Sequence, residues 1–204
     1  MFTGLIEQIS KVDKIIISSN GAKIFFSTNF DDIKIGDSIA VNGVCLTVTE
    51  NKSGNICADI MKETLNLTNL KNLQNGNIIN LERAMNMNSR FNGHIVSGHI
   101  DTTARVKNIT QDGFAKRIEF ECNTDLIIKK GSIAINGVSL TVVNVLENSF
   151  EVSLIPETIK NTNLSDLKVG DIVNIEYDQI AKYIQKFTQP KKEITLEFLK
   201  ENGF

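Results

Sequence analysis

The sequence predicts an all-β protein built from two tandem copies of one small antiparallel unit, followed by a helical tail. Three observations predict it. Residues 1–82 recur at 95–176 without a gap, short β-branched segments alternate with turn dipeptides inside each copy, and the apolar period lengthens after Glu176.

The repeat is clearest where SIAVNGVCLTV at 38–48 overlays SIAINGVSLTV at 132–142, with nine of eleven positions identical. Glu63 and Thr64 fall on Glu157 and Thr158, Thr68-Asn69-Leu70 on Thr162-Asn163-Leu164, Gly76 on Gly170, Asn80 on Asn174, and Glu82 on Glu176. FTGLIE at 2–7 lies over VSGHID at 96–101. A period of roughly 90 residues is too long for a solenoid or propeller blade, so it marks a duplicated domain. Each copy is large enough for a modest core and gains from packing against its twin.

In the first copy the strand candidates are KIIIS at 14–18, KIFFS at 23–27, SIAV at 38–41, CLTVTE at 45–50, NICADI at 55–60 and NIINLE at 77–82. Asn20-Gly21, Gly36-Asp37, Asn42-Gly43, Ser53-Gly54 and Asn75-Gly76 separate them, the pattern of a small antiparallel sandwich or barrel. KETLNLTNLKNL at 62–73 reads as a helical turn plus a loop, one short helix closing a barrel end. In the tail, Ile180, Ile184 and Phe187 recur at helical spacing, and Pro190 ends or breaks that helix. A second short helix is expected over about 195–202, with Thr195 or a residue before it as N-cap and Gly203 at C′. The apolar helix must be covered, either by a barrel or by another copy of the chain.

Composition bounds the function. With 204 residues, 41% hydrophobic, 23% charged and a net charge of −2, the chain lacks the basic stripe of a nucleic-acid binder. MFTGLIEQIS is not a signal peptide, and no apolar run is long enough to span a bilayer, so a soluble cytoplasmic protein is expected. Cys45, Cys57 and Cys122 form no CxxC pair and read as free thiols, with Cys57 and Cys122 in the core. The many asparagines are attributed to genome base composition. GxGxxG, P-loop and HExxH motifs are absent, which argues against nucleotide-driven and zincin chemistry.

Strand alternation after Asn42-Gly43 sets Cys45 and Thr47 on the face opposite Val44, Leu46 and Val48, and Ser139 and Thr141 repeat this in the second copy. Two copies keeping one polar face suggest two similar small ligands, and a reaction between like molecules requires that they be treated unequally. The copies differ at few positions, including Cys45 against Ser139, Leu5 against His99, Gly36 against Lys130, and Lys62 against Pro156. His94 and His99 both lie in the joint, on opposite faces of an extended segment. His99 reads equally as an acid–base group and as a hydrogen-bonded structural histidine, and His94 is expected to be structural.

The motifs MFTG, NGVCLTV at 42–48, MKETL at 61–65, GHIVSGHID at 93–101, NGVSLTV at 136–142 and LIPET at 154–158 resemble the riboflavin synthase family of the α-chain type over essentially the whole chain. That resemblance implies two six-stranded Greek-key barrels at 1–94 and 95–188, a helix assembling a homotrimer, and a tail at 189–204. It implies dismutation of two molecules of 6,7-dimethyl-8-ribityllumazine to riboflavin and 5-amino-6-ribitylaminouracil, without cofactor or metal, between the first barrel of one subunit and the second barrel of its neighbour. Lumazine synthase is an implied partner.

By the same resemblance, the first-barrel site comprises Gly4, Leu5, Ile6, Ser38, Cys45, Leu46, Thr47, Asp59, Ile60, Met61, Lys62, Glu63 and Thr64. The second comprises Gly98, His99, Ile100, Lys130, Ser139, Leu140, Thr141, Ser153, Leu154, Ile155, Pro156, Glu157 and Thr158. Phe2 packs beside the bound ring, and His99, Cys45, Ser139 and Thr141 are the catalytic candidates. The rival reading is a non-catalytic lumazine or flavin carrier of the lumazine-protein type.

Overall fold

The computed structural model describes residues 1–88, 90–122, 124–188 and 203. The first half forms β1 (Gln8–Ser18), β2 (Gly21–Ser27), β3 (Ser38–Val41), β4 (Val44–Lys52), β5 (Asn55–Met61), α1 (Lys62–Leu67) and β6 (Ile78–Arg83). The second half repeats them as β7 (Thr102–Asp112), β8 (Ala115–Glu121), β9 (Ser132–Ile135), β10 (Val138–Leu146), β11 (Ser149–Leu154), α2 (Pro156–Asn161) and β12 (Ile172–Tyr177), and α3 (Gln179–Thr188) follows.

Each half closes into an antiparallel six-stranded barrel in the order β1-β2-β5-β4-β3-β6, matched by β7-β8-β11-β10-β9-β12. β2 lies beside β5 and β6 beside β3, so each barrel contains two overlapping Greek keys. Bulges interrupt β1 between Val12 and Lys14 and β4 between Val48 and Glu50. Their twins fall between Val106 and Asn108 and between Val142 and Asn144. The duplication thus preserves the kinks that let a small sheet curl shut.

Alternation fills the barrels. Ile24, Phe26, Ile39, Val41, Val44, Leu46 and Val48 point into the first, and in the second Phe120 stacks on Phe150 at 5.5 Å between centroids. Each such side chain contributes about 1.5–3 kcal/mol by leaving water. The helical turn expected within 62–73 is α1, and the segment after it is a 3-10 turn. Thr68 ends α1, and its hydroxyl accepts from the Leu70 N–H to cap a 3-10 turn at Asn69–Asn72. Thr162 does the same for Asn163–Asp166.

The barrels are joined through their hairpins. Asn42-Gly43 turns β3 into β4 with φ of 48° and 78°, and Asn136-Gly137 repeats it with 46° and 81°. A side chain on Gly43 would meet the Gly137 backbone N at 2.6 Å, so the hairpins touch backbone to backbone. Around this contact lies a buried set of asparagines. Asn80 Nδ2 donates to the Asn136 carbonyl and Asn174 Nδ2 to the Asn42 carbonyl, both at 2.9 Å. Asn163 N–H donates to Asn80 Oδ1 at 2.7 Å, and Asn69 N–H to Asn174 Oδ1 at 2.6 Å. The asparagines attributed to base composition therefore include six that build the inter-barrel interface.

α3 has helical periodicity as expected, but none of its residues is buried. Ile180, Tyr183, Ile184 and Phe187 are all exposed. Gln179 and Lys182 anchor its start, Lys182 Nζ donating to Asp101 at 2.9 Å. The expected helix at 195–202 lies outside the described residues. No helix among the described residues is long and apolar enough to cross a membrane.

Candidate functional site

The polar strands face outward, as alternation requires. Val44, Leu46 and Val48 are in the core, Cys45 is half-buried and Thr47 exposed, and β10 repeats the pattern with Ser139 and Thr141. Antiparallel pairing sets Ser38 and Asp59 on either side of Thr47, and Ala40 opposite Cys45. In the second barrel Ser132 faces Thr141 and Ala134 faces Ser139. One step beyond the Val142–Val152 pair, the ladder brings Ser153 beside Thr141.

The segments before each barrel cross to the other barrel. Ser139 N–H donates to the Gly4 carbonyl at 2.7 Å, and Cys45 N–H to the Gly98 carbonyl at 2.8 Å. Ile6 packs on the second core and Ile100 on the first. The resemblance implied Gly4, Leu5 and Ile6 for the first-barrel site and Gly98, His99 and Ile100 for the second. The structure exchanges them, because residues 2–3 pair with the joint around His94 and Val96 and carry each segment across. Gly98 and His99 thus accompany Cys45, and Gly4 and Leu5 accompany Ser139. The close approach explains the glycines. A Cβ on Gly4 would lie 2.6 Å from Ser139 Cβ, and one on Gly98 2.5 Å from Cys45 Cβ, at φ of +76° and +84°.

Two buried carboxylates hold these segments. Glu82 accepts from Thr3 N–H at 2.7 Å, Thr3 Oγ1 at 2.8 Å and Gly4 N–H at 3.1 Å. Glu176 accepts from Ser97 N–H at 2.6 Å, Ser97 Oγ at 2.7 Å and Gly98 N–H at 2.9 Å. Burial pushes the Glu82 carboxyl above its usual range, and the hydrogen bonds from Thr3, Gly4 and Leu5 oppose that shift.

Phe2 is fully buried in a cluster with Ala40, Val96 and Ala134, against which Cys45 packs, so its ring supports the site from beneath. Leu46, Ile60, Leu140 and Leu154 likewise turn into the barrels and present only backbone outward. Met61 and its twin Ile155 are exposed at the helix starts, apolar surface suited to a flat ring. Lys62, Glu63, Pro156 and Glu157 are exposed, and Thr64 and Thr158 half-buried, in the first turns of α1 and α2. A cavity of about 490 Å³ adjoins Asp59, Ile60 and Met61, within the range of small-ligand pockets. The asparagine interface opens a separate cavity of about 550 Å³ that shares no residue with the candidate sites.

The two sites are unequal in charge and strain. Lys23 pairs with Asp59 at 2.7 Å, whereas their twins are Arg117, which pairs with Asp112, and the uncharged Ser153. Lys130 holds φ of +68° where its twin Gly36 has +93°, so an exposed lysine occupies a left-handed position suited to glycine. His99 is exposed. His94, expected to be structural, is buried with Nδ1 2.7 Å from Ser139 Oγ, a contact no sequence pattern marked. Cys57 is buried as expected, but Cys122 is only half-buried, because it follows the end of β8 and meets Tyr177 Oη at 3.3 Å.

Two closed barrels, each with one polar outer strand overlain by a segment from its twin, define the class: a duplicated six-stranded β-barrel protein with one polar outer face on each barrel. Residues 3–84 and 97–178 each match the lumazine binding domain family. Over 220 residues and the full length of both chains, the sequence is 46% identical to riboflavin synthase of Actinobacillus pleuropneumoniae. It is 40% identical over 215 residues to that of Bacillus subtilis (strain 168), again over the full length of both. The chain belongs to the riboflavin synthase family and carries two lumazine-binding domains. Among solved structures it is similar to LumP complexed with 6,7-dimethyl-8-(1'-D-ribityl) lumazine, with a TM-score of 0.79 and 25% identity, covering 86% of this chain and 98% of that one. It is also similar to LumP complexed with riboflavin, with a TM-score of 0.80 and 26% identity over 87% and 99% of the two chains.

Proposed function

We propose that the protein is a riboflavin synthase, converting two molecules of 6,7-dimethyl-8-ribityllumazine to riboflavin and 5-amino-6-ribitylaminouracil by transfer of a four-carbon unit. The observation that carries the reading is the 46% identity to a riboflavin synthase along the whole of both chains. Residues 1–94 and 95–188 act as the two lumazine-binding units and 189–204 as a tail.

Each barrel holds one lumazine on its outer face. The first-barrel ligand meets Ser38, Cys45, Thr47, Asp59, Gly98 and His99, and the second meets Gly4, Leu5, Lys130, Ser139, Thr141 and Ser153. Strand amides hold the ring edge, Met61 and Ile155 cover its face, and Glu63 and Glu157 with nearby hydroxyls hold the ribityl chains. His99, Cys45, Ser139 and Thr141 serve the proton transfers and additions at carbon 7 and the acidic methyl. Holding two reactants in register supplies up to about 7–11 kcal/mol of the barrier reduction, so no added cofactor is required.

The site is completed between subunits of a cytoplasmic homotrimer, the first barrel of one facing the second barrel of the next. The exposed apolar residues of α3 support that assembly. Lumazine synthase, which makes the substrate, is the proposed partner.

The test is incubation of the purified protein with 6,7-dimethyl-8-ribityllumazine alone. One riboflavin should appear per two lumazines consumed. Tight binding without turnover would favour the carrier reading, which the likeness to LumP supports. Against that reading stands the second-barrel set of Ser139, Thr141 and Lys130, which a carrier with one competent site does not need.

A further inference from the structure

We infer that His94 is a positioning residue that fixes the Ser139 hydroxyl as a hydrogen-bond donor toward the second-barrel ligand, so that Ser139 does not act as a base-activated nucleophile. The inference rests on the reading of that face as a substrate site and deepens it.

His94 lies in the joint between the copies, outside the repeat, so Cys45 receives no matching imidazole from the duplication. Pairing of the joint with the N-terminal segment places it: His94 N–H donates to the Thr3 carbonyl at 3.1 Å, and Gly4, the next residue, receives the Ser139 N–H. The ring is then held with Nδ1 2.7 Å from Ser139 Oγ. Its other nitrogen, Nε2, is buried and has no hydrogen-bond partner among the described residues. The residue as a whole is 7% exposed.

These contacts choose the tautomer. Burial lowers the His94 pKa, against the opposing pull of Asp178 and Glu176, so the ring is neutral and carries one proton. A proton on Nε2 would be a buried N–H without an acceptor, the rarest kind of orphan in folded proteins. A proton on Nδ1 is satisfied by Ser139 Oγ and leaves on Nε2 only an unpaired acceptor. Nδ1–H therefore donates to the serine oxygen. The serine proton, not needed for that bond, turns outward to an acceptor atom on the ligand. A base-activated serine would require the reverse polarity, with Oγ–H donating to Nδ1 and the imidazole proton stranded on Nε2.

The deciding experiment is long-range proton–nitrogen correlation NMR on the full chain labelled with 15N-histidine. We expect His94 protonated on Nδ1 alone; protonation on Nε2, or on both nitrogens, overturns the inference. This result does not depend on turnover, so it stands apart from failure of the riboflavin synthase assignment, which the lumazine assay reads. A mutant cycle supplies the second readout. His94→Leu should lower kcat about tenfold, the loss of one oriented hydrogen bond, and by less than about twofold in a Ser139→Ala background. His94→Asn, whose amide can donate near the Nδ1 position, should recover most of the rate. Equal losses in both backgrounds would show that His94 does not act through Ser139.

Discussion

Asn80→Ala tests whether the asparagine interface makes the two barrels one cooperative unit. The substitution leaves the Asn163 N–H without the acceptor it meets at 2.7 Å and the Asn136 carbonyl without its 2.9 Å donor, both within the buried interface. It also removes one of two donors to Asn163 Oδ1, the other being Asn136 Nδ2 at 3.4 Å. Two orphaned buried groups at about 1–3 kcal/mol each give an expected loss of about 2–6 kcal/mol. That is a large share of a typical domain's stability. The chain has no tryptophan, and its two tyrosines, Tyr177 and Tyr183, both lie in the second half. Tyrosine fluorescence therefore reports the second barrel and its helix, while far-UV circular dichroism reports both barrels. In urea at fixed protein concentration the two probes should coincide for the parent chain and separate for Asn80→Ala. Asn66→Ala, on the exposed side of α1, should change stability by less than about 0.5 kcal/mol. A coincident transition shifted by less than about 1 kcal/mol in Asn80→Ala would refute the reasoning.

Gly43→Ala should destabilise by about 2–4 kcal/mol, since its Cβ would sit 2.6 Å from the Gly137 N and φ is +78°; a change within about 0.5 kcal/mol in urea unfolding would contradict the packing. The Glu82 pKa is raised in the folded state, so its favourable contribution is complete below 4.5 and declines as pH rises through the folded value. The stability advantage of the parent over Glu82→Gln should accordingly shrink between pH 4.5 and neutrality, and an advantage that grows would reverse the sign of the argument. Lys130→Gly should relieve a left-handed lysine, leaving stability unchanged or higher by up to about 1 kcal/mol, while weakening lumazine binding in a titration; unaltered affinity would remove Lys130 from the site. Deleting residues 179–204 should give monomers by sedimentation, and a surviving trimer would place the assembly surface elsewhere.

The strand pattern, the hairpin turns and the outward polar strands followed from residue types at short range. Backbone sterics place Asn-Gly at a type I′ turn, and a period of two divides Cys45 and Thr47 from Val44 and Leu46. The gapless repeat also determined that whatever closes one barrel closes the other, down to the matching bulges at 13 and 107. Only the tertiary structure decided which segment lies on which barrel. Residues 2–7 and 96–101 carry no signal for their partner, because their clasp is formed with Glu82 and Glu176, nearly eighty residues away in each case. The same holds for His94, whose meaning depends on a serine 45 positions further along, and for the asparagines, which are ordinary surface residues until two hairpins bury them together. Local propensity is written in neighbouring residues, whereas burial and hydrogen-bond partnership are set by distances that exist only once the chain has closed on itself.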